Sequence, residues 1–172
     1  PGAYTSLRTG ASVAKGLCYA SDIPLIAVDT LAALAWGSRA AQPATLGRTV
    51  YLPMIDARRA EIWLAAYDDA MACIAPAQSL ILEPGVLQQW IDALPLGYVP
   101  DKIVMSGSGK KKIIVEDIIK NSDICSVDMC SARFLLDIAQ ERYKNGQFEE
   151  VHSFEPFYMK PPNITVSKKT IL

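Results

Sequence analysis

From Thr49 to Gly146 the chain sets out strand-like and helix-like segments in an order that few folds can accommodate. Thr49 to Ile55 and Ala60 to Tyr67 read as two strands. In the second, Ile62, Leu64 and Ala66 alternate with Glu61, Trp63 and Ala65, as a pleated strand requires. Asp56-Ala57-Arg58-Arg59 between them suits a tight polar hairpin connection, and a third strand is expected within Met71 to Leu82. Pro84 is placed to open a helix, where its missing N–H costs nothing, with Val86, Leu87, Trp90, Ile91 and Leu94 as the apolar face. Lys102 to Met105 reads as a strand ending in Ser106-Gly107-Ser108-Gly109, before a helix through Ile114, Val115, Ile118 and Ile119. Ile124 to Val127 reads as a last strand. Asp128 is the expected cap of a final helix on which Ala132, Leu135, Leu136, Ala139 and Tyr143 share a face, ending at Asn145-Gly146. The tail from Gln147 carries Pro156, Pro161 and Pro162 and is expected to be irregular. An antiparallel start followed by alternating strands and helices implies an α/β fold, a mixed sheet with helices laid on it.

Ahead of this run, Pro1 to Ala20 begins with a Pro-Gly turn and becomes a helix rich in small side chains, with Thr5 or Ser6 as the expected N-cap. Leu7, Ala11, Ala14 and Cys18 form one apolar stripe at helical spacing, and Thr9, Val13, Gly16 and Ala20 lie on another side. Arg8, Ser12 and Lys15 are left as the clearly polar edge. Such a helix must be covered from more than one direction. Either it is a core helix of its own domain, or one side meets another chain, and Gly10, Ala11, Ala14 and Gly16 would let a neighbouring backbone come close. Ile23 to Val28 reads as a short strand, Asp29 or Thr30 caps a second helix through Leu31, Leu34 and Ala35 towards Ala41, and the stretch from Gln42 to Gly47 is the candidate hinge.

Pro1-Gly2-Ala3-Tyr4-Thr5-Ser6-Leu7-Arg8, with Gly10, Ala14-Lys15-Gly16-Leu17 and Tyr19-Ala20, resembles the P-G-S-[FY]-T-G-[LV]-R…G…AKGLA run of the TsaB family. The likeness continues through Ile23-Pro24-Leu25-Ile26, Leu31, Leu34-Ala35, Ile55-Asp56-Ala57-Arg58-Arg59 with Glu61-Ile62-Trp63, and Glu155-Pro156-Phe157-Tyr158-Met159-Lys160. Ala3, Ser6 and Ala60 stand where the family more often has Ser, Gly and Gly. The resemblance implies the actin-like, ribonuclease-H-like fold of the sugar-kinase-like ATPase superfamily, as one incomplete lobe plus one mixed-sheet lobe. Residues 1–47 would be the C-terminal part of the first lobe. Residues 48–172 would be the second, with the last helix and tail returning towards the first. It also implies that an opening section precedes the Pro-Gly turn in the family and is missing here.

With 172 residues, 51% of them apolar and 20% charged, the chain can bury one good core or two small lobes. A net charge of −1 gives no global electrostatic reason to bind nucleic acid. Cys18, Cys73, Cys125 and Cys130 include no C-x-x-C pair and the single His152 is far from them in sequence, so no metal site is expected and reduced, buried thiols are. No signal peptide or membrane-spanning apolar run is visible.

Ser106-Gly107-Ser108-Gly109-Lys110 invites a phosphate-loop reading, with Gly107, Gly109 and Lys110 as nucleotide or phosphate candidates. The spacing fails the Walker A pattern, which needs Gly where this chain has Val104 and Ser or Thr where it has Lys111. A plain strand-to-helix turn is the preferred reading, and Lys110, Lys111 and Lys112 are expected to be solvated rather than on RNA. Asp56, Arg58, Arg59 and Glu61 form the densest charge cluster, open to three readings: acid–base or phosphate-clamp chemistry, mutual pairing at a hairpin tip, or partner docking. Mutual pairing is preferred. His152 has no nucleophile motif or H-E-x-x-H spacing around it, which leaves a peptidase without support. No catalytic constellation is found.

The resemblance implies a non-catalytic scaffold subunit for tRNA N6-threonylcarbamoyladenosine modification, paired with a paralogous TsaD-type transferase and joined by a TsaE-type ATPase. On that reading tRNA is met through the complex, no membrane is involved and the setting is cytoplasmic. No cofactor of its own is expected, ATP and magnesium being used by the partner subunits. The pairing face would comprise Thr5, Leu7, Arg8, Gly10, Ala11, Ala14 and Leu17, so Ala14→Arg is expected to abolish pairing, and the same face could form homodimers when the chain is alone. The rival is an ATP-dependent small-molecule kinase-like enzyme of the same fold, with Asp29 and Asp56 as the nominated carboxylates.

Overall fold

The structure is a computed structural model that describes residues 4–42, 47–113 and 121–159. Its contacts divide the chain into two units, one built on Ile26–Phe148 and the other on Gly2–Leu25 with Glu149–Leu172.

The larger unit is organised by a five-stranded sheet in the order β3-β2-β1-β4-β5. Strands β1 (Thr49–Asp56), β2 (Glu61–Tyr67) and β3 (Cys73–Ile81) form an antiparallel meander, and β4 (Lys102–Ser106) and β5 (Ser122–Ile124) add in parallel beside β1. Both faces are covered, because each central strand is apolar at odd and at even positions. Val50, Leu52 and Met54, Ile62, Leu64 and Ala66, and Ile103 and Met105 share one core with Leu87 and Ile91 of α3 (Val86–Asp92). Tyr51, Ala65, Tyr67 and Val104 share the other with Leu31 and Ala35 of α2 (Thr30–Ala41). Asp29 starts α2 as expected, its Oδ1 accepting from the N–H groups of Leu31 at 2.8 Å and Ala32 at 3.2 Å.

The smaller unit contains α1 (Tyr4–Ser21) and the returning tail. Leu25 and Glu149 form an antiparallel bridge, the Glu149 N–H donating to the Leu25 carbonyl at 2.8 Å.

Several local expectations are corrected. Helix α1 already includes Tyr4, so Thr5 and Ser6 lie inside its first turn and are not its cap. Residues 23 to 28 form no strand beyond the Leu25 bridge, since Pro24 lacks a donor at the start of the run. Pro84 and Gly85 make a turn before α3, with Gly85 in the left-handed region at φ 80°, and Leu94 falls past the helix end. The last strand is Ser122–Ile124, starting two residues and ending three residues before the expected Ile124 to Val127. Asp128 caps nothing: it binds two lysines, a 3-10 turn spans Ala132–Leu135, and α4 runs only from Leu136 to Lys144. On α4 the buried residue is Ile138, while Leu136 and Tyr143 are exposed. Cys73 and Cys130 are exposed residues, not buried ones, although partial desolvation of their own sulfurs pushes both thiols up. The helix expected around Ile114 to Ile119 and the centre of the hinge, residues 43–46, lie outside the described residues.

Candidate functional site

Helix α1 presents two different faces. Leu7, Ala11 and Ala14 are half-buried and Cys18 is buried, so the first apolar stripe read from the sequence is the covered one. Thr9, Val13, Gly16 and Ala20 are exposed, as are Thr5, Arg8, Gly10 and Leu17. Val13 is 57% exposed and Leu17 61%. The expected pairing set therefore splits: Thr5, Arg8, Gly10 and Leu17 are on the surface, whereas Leu7, Ala11 and Ala14 are half-covered by this chain itself. Val13, outside that set, is exposed on the same helix.

Gly10 and Gly16 bear on this face directly. A Cβ added at either would meet nothing within 4 Å. Glycine inside a helix costs about 1 kcal/mol relative to alanine. Among the described residues nothing requires either glycine, yet both stand inside an 18-residue helix.

The hairpin cluster is held by a residue that sequence spacing did not bring to it. Lys112 Nζ lies 2.5 Å from Asp56 Oδ1 and donates to the Arg59 carbonyl at 2.5 Å and the Glu61 carbonyl at 3.0 Å. Asp56 also accepts from the Arg58 N–H at 2.6 Å. The Lys112 hydrogen bond, then that of Arg58, holds the Asp56 carboxyl below the usual carboxylate range. Arg58 and Arg59 sit at the exposed tip with positive φ, 69° and 50°.

The glycine turn follows β4. Gly107 has φ 88°, and its N–H donates to the Val127 carbonyl at 2.7 Å. A Cβ on Gly109 would come within 2.9 Å of the Met54 Cβ. Close packing on β1 accounts for both glycines. Lys110 is not solvated: its Nζ is 2.5 Å from Asp128 Oδ1 and donates to the Cys125 carbonyl. Lys111 Nζ reaches the other Asp128 oxygen at 3.2 Å. The Lys110 and Lys111 hydrogen bonds together hold the Asp128 carboxyl down. Lys111 is exposed as expected, whereas Lys110 and Lys112 are mostly covered and ion-paired to Asp128 and Asp56, partners that come from the returning segment and the hairpin.

His152 lies in the tail, its ring edge-on to Tyr19 with centroids 5.6 Å apart. Among the described residues no three His, Cys, Asp or Glu side chains are grouped to hold a metal ion, and no helix is long and apolar enough to cross a membrane.

Comparison with known proteins settles the family. The family model described as TsaD, tRNA N6-adenosine threonylcarbamoyltransferase, matches residues 1–132, more than half of the chain. The chain is 27% identical over 166 residues to the tRNA threonylcarbamoyladenosine biosynthesis protein TsaB of Escherichia coli (strain K12), covering 93% of this chain and 67% of that protein. The chain belongs to this family, as a TsaB-type member. The TsaB of Bacillus subtilis (strain 168) is 27% identical over 122 residues, 69% of this chain and 48% of that protein. This TsaB-type chain thus spans about half to two thirds of the length of the curated relatives it matches. Two solved structures from Pseudomonas aeruginosa share its fold at 25% identity. One is described as YeaZ, with TM-score 0.69 over 92% of this chain and 70% of that one. The other is described as an uncharacterized protein with similarity to peptidase YEAZ, with TM-score 0.70 over 93% and 70%. The actin-like, ribonuclease-H-like α/β fold expected from the sequence holds for this TsaB-type chain, with its mixed five-stranded sheet.

Proposed function

We propose that this chain acts in tRNA threonylcarbamoyladenosine biosynthesis as a non-catalytic scaffold that pairs with a TsaD-type transferase through the exposed face of α1. The names of its TsaB relatives support the pathway. The observation that carries the pairing is Gly10 and Gly16, both with open space over them, beside exposed Val13 and Leu17 on the same helix. Glycines that serve no contact among the described residues suit a second backbone approaching closely, as helix-on-helix packing at an interface needs. A TsaE-type ATPase joins the pair, tRNA is met through the assembly, and ATP and magnesium are used by the partner subunits in the cytoplasm. Without its partner the chain uses the same face to form homodimers.

Light scattering after size exclusion tests this, on the chain alone and mixed with a TsaD-type paralogue. A stable mixed species that needs no nucleotide, and that Leu17→Arg abolishes, is expected. Leu17 is a cleaner probe than Ala14, which is half-covered by its own chain. No mixed species, together with magnesium-dependent nucleotide binding by this chain alone, would favour the kinase-like enzyme instead.

A further inference from the structure

Within the smaller unit the tail runs along one side of α1, and contacts at both ends and in between fix its course. Towards the C-terminal end of the helix, the Tyr19 and His152 rings meet edge-on at 5.6 Å. At its N-terminal end the Tyr4 and Tyr158 rings lie 4.9 Å apart. Between them Lys15 Nζ donates to the carbonyls of His152 and Phe154, both at 3.0 Å. The tail is therefore antiparallel to the helix. Phe154, Pro156 and Tyr158 are half-buried and line a crevice with Ala11 and Lys15, while Glu155 and Phe157 between them are exposed. Such alternation marks an extended chain with one side laid on a surface. Tyr4 and Tyr19 stand about 22 Å apart along the helix axis, and a fully extended chain from His152 to Tyr158 reaches about as far. The tail has little slack between its two aromatic ends.

Helix α1 has little of its own to hold it. It carries Gly10 and Gly16, and it has no acidic residue in its first turn and no basic residue in its last. At 18 residues such a helix is marginal in water without something packed on it. The closed tail also carries a cost. The Tyr158 hydroxyl oxygen is buried and has no hydrogen-bond partner among the described residues, a penalty that opening to water removes.

We propose that the tail from His152 to Tyr158 is a releasable strap that keeps α1 ordered, with Lys15 as its clasp. One ammonium bonds two carbonyls two residues apart, which an extended chain points to the same side. Both acceptors are main-chain, so a single helix side chain grips the tail backbone itself. With the strap off, α1 frays while the five-stranded sheet of the larger unit stays folded, as a segment of low local stability does. The exposed face with Val13 and Leu17 is then an ordered surface only while the strap is on. The strap acts in the chain alone, whether or not that face meets a transferase.

Hydrogen exchange of the 172-residue chain tests this, comparing amides of α1 with those of β1, β2 and β4. Lys15→Met keeps the length of the side chain and nearly the same helix propensity, and removes the donors. It is expected to speed exchange across α1 about tenfold, as the loss of charged hydrogen bonds requires, and to leave the sheet amides unchanged. Tyr158→Phe keeps the ring against Tyr4 and removes the unpaired hydroxyl, so it is expected to slow α1 exchange several-fold. Unchanged α1 exchange in Lys15→Met would overturn the proposal, and so would equal acceleration of the sheet. Faster α1 exchange in Tyr158→Phe would overturn it too. Failure to pair with a transferase would leave all of these rates as they are.

Discussion

A Cβ built on Gly107 would stand 2.0 Å from the Met54 carbonyl oxygen and 2.6 Å from Leu34 Cδ2. The turn after β4 therefore lies against β1 and α2 with no room for a methyl group, in a backbone region that L-residues rarely adopt. Gly107→Ala is expected to destabilise the chain by about 3 kcal/mol, combining overpacking against backbone with left-handed strain. Urea denaturation measures it. A loss near zero would mean that the turn shifts freely and that packing does not explain this glycine.

Arg58 and Arg59 place two long side chains where glycine or asparagine is the ordinary choice, at φ 69° and 50°. Left-handed backbone costs an L-residue on the order of 1 kcal/mol, and the extra freedom of unfolded glycine returns part of it. Arg58→Gly is therefore expected to raise stability by roughly 0.5 kcal/mol. A fall in the denaturation midpoint would show that the Arg58 side chain holds the hairpin.

Asp56 and Asp128 carry a pH dependence with a definite sign. Both carboxyls are held below their ordinary range, Asp56 first by Lys112 and Asp128 first by Lys110. A depressed carboxylate contributes stability that is in place above the unfolded value near ~4 and is lost as pH falls through the lower folded value. Stability should fall steeply below ~pH 4, and Lys112→Met should flatten the part of that fall due to Asp56. Denaturation midpoints followed from ~pH 7 to ~pH 3 give the slope. An unchanged slope in Lys112→Met would remove Lys112 as the cause.

What the sequence made legible follows from how local each signal is. Asp29 caps α2 through neighbouring N–H groups, and the β1–β2 pair is written in the alternation of Ile62, Leu64 and Ala66 with the polar Asp56–Arg59 connection. The covered stripe of α1, Leu7 to Cys18, was legible for the same reason. Asp128 misled because its residue type suits a cap, while its actual partners, Lys110 and Lys111, are distant in sequence. The return of the tail along α1 was illegible: the tail has no periodicity, and the Lys15 bonds to His152 and Phe154, the Tyr4–Tyr158 and Tyr19–His152 ring contacts and the Leu25–Glu149 bridge all join residues far apart in sequence.

Gly10 and Gly16 separate internal packing from partner packing. Open space above both means that a methyl group costs nothing in the isolated chain. Replacing either by alanine should stabilise α1 by about 0.5–1 kcal/mol, since alanine loses less backbone entropy. The same methyl groups would stand in the way of a backbone packed closely on that face, so Gly10→Ala and Gly16→Ala should weaken pairing with a TsaD-type subunit while raising the melting temperature of the chain alone. Thermal melts and sedimentation of the mixture read the two effects separately. A pair of variants more stable alone and equally tight in the mixture would leave the helix propensity argument standing and move the interface to another face.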